Sequence, residues 1–422
     1  MKIAIYTLGC KVNQYESDLL IQKMKEKGYE IVDFDSFADI YLINSCSVTN
    51  MSDRKSRQMA GHAKRLNKDS IVVLTGCYAQ AVKEKIQEYS NIDIAIGNLE
   101  KDKTLDIIEK CIIEKEKKHI EISDVNLEKV YKQKGSRSTA LDIRESVKIE
   151  DGCNNFCSYC IIPYVRGRVR SRKIEDIVKE VEALAKDSVK EVVLVGIEIA
   201  SYGLDIGKGV NLVDCIEEVA KIPGIERIRL GSLEPTWVTK ENVERMKKID
   251  KLCPHFHLSM QSGSTTVLKR MNRKYTAKEF MDVVNLLKEN FLDVALTTDI
   301  IVGFPGETDE EFIETVDFVK EVGFKEIHVF KYSIRNGTRA AKMENQISGE
   351  VKNARSKVLI ELSKELEAKY LERFKGKKVS FLIENIDGGY VTGYTDRYIK
   401  IKQKRVYENW EKIGQTRIVE IK

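Results

Sequence analysis

No run of this sequence approaches the 18 or so consecutive apolar residues that carry a helix across a membrane. The opening MKIAIYTLGCK reads as a strand and is followed by no signal-peptide cleavage pattern, so a cytoplasmic protein with no membrane partner is expected. There is no phosphate-binding P-loop, no hydrolase triad, no long-period repeat and no low-complexity tract. Net charge is small, +5 over 422 residues, but it is localised. Residues 374–422 carry eleven Lys and Arg against six Asp and Glu, a weak nucleic-acid footprint at one end of the chain. Nine scattered cysteines in a chain of this size favour metal binding or catalysis over disulfides in a reducing compartment.

Residues 1–118 alternate apolar strand runs (KIAIYTLG, IYLINS, IVVLTG, IDIAIG) with helical patterns, which implies an open parallel sheet with helices on both faces. Residues 119–142 lose periodicity and read as a linker. Residues 143–347 alternate strand and helix six times, too few units for a closed eight-stranded barrel but enough for a partial (β/α)6 barrel. Residues 348–373 form one charged helix with sparse apolar positions, read as a solvated bridge between domains. Residues 374–422 have short alternating runs around Gly388-Gly389 and read as a small antiparallel β-barrel. The fold class is therefore α/β and multi-domain.

The segment GCNNFCSYCIIPYVRGRVRSR places Cys153, Cys157 and Cys160 in a C-x3-C-x2-C spacing directly after the first strand of the central unit. A closed zinc site wants a fourth Cys or His, and none follows in the next thirty residues. Three thiolates suit a [4Fe–4S] cluster with one iron left open for chemistry. A second triad is dispersed: Cys10 in TLGCKVNQYES, Cys46 in INSCSVT and Cys77 in LTGCYAQ. Each falls at the C-terminal end of an expected parallel strand, where ligands bind in open α/β sheets.

The first triad, with Tyr159 before its last cysteine, resembles that of the radical S-adenosylmethionine enzymes. The ordered set TLGCKVNQYESD, INSCSVT, TGCYAQ, GCNNFCSYCIIPYVRGRVRSR, SLEP, QSGS, MNRKYT, DIIVGFPGET and FKYSIRNGTRAAKM is similar to the methylthiotransferase family along the whole chain. The opening KVNQYES and the tail GYTDRYIKI most resemble the branch acting on N6-threonylcarbamoyladenosine, next to the tRNA anticodon. The resemblance implies that Cys153, Cys157 and Cys160 hold a radical-generating [4Fe–4S] cluster whose open iron is chelated by S-adenosylmethionine. It implies that Cys10, Cys46 and Cys77 hold a second, sulfur-delivering [4Fe–4S] cluster, and that C2–H of the adenine is replaced by a methylthio group. Two S-adenosylmethionine are consumed, and an electron donor such as flavodoxin or ferredoxin is required. The tail becomes an RNA-binding TRAM domain, with the tRNA anticodon stem-loop as partner.

Further expectations attach to single residues. Tyr159, Gly196, Glu198, Glu234, Gln261 and Arg172 are candidates for S-adenosylmethionine binding, the strand-end ones because they fall at the mouth of the expected barrel. Arg166, Tyr394, Tyr398, Lys400 and Lys402 are candidates for RNA contact: alternating cations with nearby aromatics suit backbone binding and base stacking. Solvated edge-strand lysines explain the last two as simply. Cys111, Cys215 and Cys253 read as packed thiols, and His255 and His257 as residues on one strand face. The alternatives are methylthiolation of isopentenyladenosine in tRNA or of a ribosomal-protein aspartate, a cluster-bearing RNA-binding protein without turnover, and a zinc protein.

Overall fold

The computed structural model describes residues 1–132, 137, 140, 142–207, 209–405 and 412–421. The N-terminal sheet has six parallel strands: β1 (Lys2–Thr7), β2 (Glu30–Val32), β3 (Ile40–Ser45), β4 (Ile71–Gly76), β5 (Ile94–Ile96) and β6 (His119–Glu121), in the order β2-β1-β3-β4-β5-β6. Helices α1 (Lys11–Glu26) and α2 (Asn50–Leu66) leave β1 and β3 at their C-terminal ends. Every residue of β3 is buried, as a strand covered on both faces requires. Two strands lie beyond the four read from sequence. One, β6, corrects the expected linker: residues 119–121 pair with β5 and extend the sheet. Much of KQKGSRSTALD lies outside the described residues, but Arg137 within it is buried on Glu145, at 2.5 and 2.8 Å.

The central unit is two abutting parallel sheets. One joins β7 (Arg144–Lys148), β10 (Glu191–Val195) and β11 (Arg227–Leu230); the other joins β12 (Ser232–Leu233), β13 (His255–Gln261), β14 (Ala295–Val302) and β15 (Glu326–Lys331). A short antiparallel pair, β8 (Glu150–Asp151) with β9 (Arg170–Ser171), flanks the cysteine loop. The run RIRLGSL is not one strand. It breaks at Gly231, whose amide donates to the Leu194 carbonyl at 2.9 Å, so β11 serves one sheet and β12 the other. Alternate strand residues such as Val147, Val192, Leu194, Phe256 and Leu258 pack with the helices in the main core. The residues between them face the other way, which gives a polar inner face. Val12, in the first turn of α1, packs on Val193 and Val195 of that inner face, so the N-terminal unit reaches into the central one.

The long helix Gly349–Glu372 corrects the solvated-bridge expectation. Leu359, Leu362, Leu366 and Tyr370 are buried, the leucines joining the main core; a narrow stripe at helical spacing is enough to dock it. It leads to a curled antiparallel sheet of β16 (Lys378–Asp387), β17 (Tyr390–Thr395), β18 (Lys400–Lys404) and β19 (Thr416–Glu420), ordered β18-β17-β16-β19, with its own core around Phe381, Ile383 and Val391. This sheet abuts the N-terminal ends of the central strands. Arg227 and Arg229 donate to the carbonyls of Tyr394 and Asp396, both at 2.8 Å.

Candidate active site

Cys10 caps α1, Cys46 follows β3 and Cys77 follows β4, so parallel strands of one twist bring all three to one rim. Burial and the neighbouring Cys77 and Cys10 push the Cys46 thiol up to about 11. Gly76 keeps the rim tight: at φ +96° a Cβ would stand 2.4 Å from the Ser45 carbonyl oxygen, so only glycine lets Cys77 start its helix there. Asn13 ties two of the loops, donating to the Leu8 and Ser45 carbonyls at 2.7 and 3.0 Å.

The second loop is built with equal constraint. Gly152, at φ +89°, passes so close to Arg168 that a Cβ would meet its carbonyl oxygen at 1.9 Å. The Cys153 amide donates to the Gly167 carbonyl at 3.0 Å. Ser158 is held by the Met271 and Arg270 carbonyls, Ala340 donates to Ser158, and Asn272 donates to the Phe156 carbonyl at 3.0 Å. MNRKYT and GTRAAKM are thus the scaffold of the cysteine loop. Burial and Cys157 push the Cys160 thiol up to about 12, with Cys77 adding to the effect; Cys153 is pushed up by burial and by Glu198 and its fellow thiols.

The two rims meet. Cys77 packs against Ile161 and Val165, immediately beyond Cys160. Neither triad brings its three sulfurs within 4.8 Å of one another. Thiolates on a single tetrahedral zinc stand about 3.8 Å apart, so neither triad is closed around one such ion. Among the described residues the groups compact enough for one ion are Cys111, Glu116 and His119 at the sheet edge, and His257, Asp299 and His328 on the inner face.

Around the second loop the candidate residues converge. Tyr159, Cys160 and Gln261 line one cavity of about 200 Å³ with Asp299, Ile301 and Tyr332. Glu198 receives the Asn155 amide at 3.3 Å, and its own backbone amide donates to Glu150 at 2.7 Å. A Cβ on Gly196 would stand 2.7 Å from the same Glu150 carboxylate. Burial and the Glu234 charge push Glu198 up to about 8. Among the described residues its Oε1 and the Oε1 of Glu150 have no hydrogen-bond partner, a polar cradle suited to the amine and hydroxyls of a bound nucleoside. Arg273, which no sequence signal singled out beyond MNRKYT, donates to Cys157 Sγ at 3.2 Å and to Glu234 at 2.6 Å.

Two expectations, those for Arg166 and Arg172, are corrected. Arg166 has no exposed surface and cannot touch RNA. Its guanidinium is bound to Glu16 at 2.5 and 3.1 Å, to Asn13 at 2.5 Å and to Asp151 at 3.3 Å, and its Nε donates to Cys77 Sγ at 3.3 Å. Lys148 joins Glu16 and Asp151 at 2.7 and 2.8 Å, and Lys101 closes on Glu16. Arg172 is spent on Glu180, which also accepts from the Tyr15 hydroxyl at 3.0 Å, so it serves the seam between units rather than S-adenosylmethionine. Tyr394 and Tyr398 stack on each other at 4.6 Å, under Arg144 at 4.9 and 5.1 Å, with Arg229 also over Tyr398 at 4.7 Å. These contacts join the C-terminal sheet to the central unit and occupy one face of each ring. Lys400 and Lys402 are exposed on the edge strand β18.

Residues 147–319 match the Radical SAM superfamily, and residues 2–97 match a family described as uncharacterized protein family UPF0004. The chain is 41% identical to the threonylcarbamoyladenosine tRNA methylthiotransferase MtaB of Bacillus subtilis (strain 168), across 99% of this chain and 93% of that protein. It is 40% identical to the MtaB of Aquifex aeolicus (strain VF5), across 98% of both. It is 38% identical to the tRNA-2-methylthio-N(6)-dimethylallyladenosine synthase of Acetivibrio thermocellus, across 90% of this chain and 80% of that protein. Among solved structures, the fold is similar to the radical S-adenosylmethionine methyltransferase TsrM of Kitasatospora setae, with TM-score 0.59 and 15% identity, covering 81% of this chain and 77% of that one. Two cysteine rims facing each other across two domains, each domain matched to its own family, and this likeness over nearly the full length lead to one conclusion: the chain belongs to the radical S-adenosylmethionine methylthiotransferase family.

Proposed function

We propose that the protein methylthiolates C2 of N6-threonylcarbamoyladenosine beside the anticodon of tRNA. The observation that carries this is the meeting of the two rims, Cys77 packed against the residues that follow Cys160. A reaction that joins sulfur to an aromatic C–H carbon needs a hydrogen-abstracting centre and a sulfur source within reach of the same atom. The threonylcarbamoyl branch is favoured over the isopentenyl branch by the higher identity and fuller mutual coverage of its relatives.

In this reading Cys153, Cys157 and Cys160 hold one [4Fe–4S] cluster, and Cys10, Cys46 and Cys77 hold the other. When bound, these groups with S-adenosylmethionine supply one-electron cleavage chemistry on one side and a methyl-accepting sulfur on the other. The chain's own residues do the rest. Arg273 donates to Cys157 Sγ and positions Glu234; Glu150 fixes the backbone at Glu198; Gly196 leaves room for a nucleoside against that wall; Tyr159 and Gln261 line the cavity beside Cys160. We take the two central sheets as a partial six-stranded barrel within residues 143–347. The N-terminal cluster domain is 1–118, and the curled sheet 374–422 is a TRAM-like module presenting Lys400 and Lys402 to RNA. The electron comes from a flavodoxin- or ferredoxin-type donor, and the work is done in the cytoplasm, where tRNA is.

The test is nucleoside mass spectrometry of tRNA from a bacterium that lacks this methylthiolation, with and without the chain expressed. The expected outcome is a methylthio mass shift on threonylcarbamoyladenosine, absent for Cys157→Ala. An unmodified nucleoside alongside iron-loaded protein rejects the assignment. A shift on isopentenyladenosine instead moves the chain to the other branch.

A further inference from the structure

The inner face of the second central sheet carries a polar cluster that the proposed reaction does not use. Phe256, Leu258, Leu296, Ile300 and Ile327 pack into the main core, so the residues between them on β13, β14 and β15 face the other way. The register sets His257 opposite Thr297 and Asp299 opposite His328, which gathers four polar side chains from three neighbouring strands. His257 Nδ1 lies 3.0 Å from the Thr297 hydroxyl. With Nδ1 taken by that hydroxyl, Nε2 is the nitrogen left for a ligand. Nε2 is buried and has no hydrogen-bond partner among the described residues; it stands 3.4 Å from Asp299 Oδ2. The His328 ring lies nearly parallel to that of His257, with centroids 5.7 Å apart, and its Nδ1 is 3.9 Å from Glu326. One ligand atom from each of His257, Asp299 and His328 lies within 4.8 Å of the others.

We propose that His257, Asp299 and His328 form a mononuclear site for a divalent transition ion. Two imidazoles with one carboxylate are a donor set for zinc or ferrous iron, and sulfur has no part in it. Nitrogen and oxygen ligands of one tetrahedral zinc stand about 3.3 Å apart, close to the 3.4 Å between Nε2 and Asp299. His328, nearly half exposed, is the ligand that swings in. The Thr297 hydroxyl on Nδ1, and Glu326 beside His328, stand where a ligating imidazole is held from behind. All three donors come from one wall, so the ion keeps open positions towards the interior, and Asp299 also lines the cavity beside Cys160. The site is separate from both cysteine triads and does not depend on which nucleoside is modified.

The test equilibrates the iron-loaded full chain with zinc under anaerobic conditions, removes free metal, and reads zinc per chain together with the zinc K-edge fine structure. Zinc binds such donors more tightly than ferrous or manganous ions, so it is the stringent probe. Wild type should hold about one zinc in a nitrogen and oxygen shell at about 2.0–2.1 Å, with no sulfur at about 2.3 Å. His257→Gln and His328→Gln should each lose it while keeping their iron; His328 is exposed enough for its replacement to leave the fold intact. Thr297→Val should weaken zinc by about 10- to 100-fold in competition with a chelating dye, the scale for groups that orient a ligating imidazole. A wild type that takes up no zinc reduces the group to a histidine–carboxylate ion pair and overturns the inference. Zinc in a sulfur shell overturns it as well, since that metal has strayed to the cysteines. Nitrogen- and oxygen-bound zinc that both histidine variants retain is an adventitious ion only, and the inference falls. The wild-type spectrum needs no variant, so it can refute the site even where a substitution fails to fold. Failure of the substrate reading looks different: it appears in the nucleosides of tRNA and leaves the zinc measurements unchanged.

Discussion

Replacing Arg166 with Met keeps much of the apolar stem and removes the guanidinium, with its charge and its hydrogen bonds. The structure makes that charge the hub between units: Glu16 and Asn13 come from α1, Cys77 from the end of β4, and Asp151 from beside the central cysteine loop. Burial would push Glu16 up, but Arg166, Lys101 and Lys148 together hold it well below the usual carboxylate range, with Arg166 the largest of the three. Removing one partner of a buried, hydrogen-bonded pair costs about 3–5 kcal/mol, because the charge left behind stays desolvated. With an m-value of about 3 kcal/mol/M, the urea midpoint of the apo protein should fall by about 1–1.7 M. The decisive form is a double-mutant cycle with Glu16→Gln. The two singles should each destabilise, and the double should cost less than their sum by about 2 kcal/mol or more, since the second change removes an already orphaned partner. Additive costs within about 0.5 kcal/mol would refute the claim that these charges hold the units together.

Glu198 gives a pH signature. Its folded-state acidity is weakened to about 8 from 4.5, so its contribution to stability is full below the unfolded value and is lost as pH rises through about 8. Apo Glu198→Gln should therefore lose less stability than wild type between pH 5 and 8 in a series of thermal melts, and parallel curves would contradict that titration. At the other end of the molecule, Lys400→Glu with Lys402→Glu should weaken tRNA binding at low salt and lower the slope of log K against log salt by about 1.5–2. An unchanged slope would reduce both residues to solubilising edge-strand lysines. Tyr398→Ala should loosen the C-terminal sheet, seen as faster proteolytic release of residues after 374, because the ring lies beneath two guanidiniums that belong to the central unit. Release at the wild-type rate would show that the backbone bonds from Arg227 and Arg229 suffice.

What could be read from the sequence was local or topological. Cys153, Cys157 and Cys160 share a short loop, and Cys10, Cys46 and Cys77 needed only the rule that parallel strands end on one side. The arginines of RGRVRSR were misread because burial has no local signature. Glu16 lies 150 residues from Arg166 in sequence, so alternating charge looks the same whether water or carboxylates meet it. The cations beside Tyr394 and Tyr398 were hidden for the same reason, coming from β7 and β11. The helix Gly349–Glu372 hid a four-residue stripe among charges, and β2 and β6, at three residues each, are too short for a period-2 pattern to show.

The seam around Arg166 also bears on how this scaffold accommodates different substrates. Two apolar surfaces can slide past each other by a helical turn and still be satisfied, whereas interlocking guanidinium, ammonium and carboxylate groups fit in one alignment. The separation of the two cysteine rims is in that sense keyed by the polypeptide before any metal arrives. Tyr159, Gln261 and Asp299 of the cavity beside Cys160 take no part in that key, so the aim of the two centres and the shape of the pocket rest on different residues.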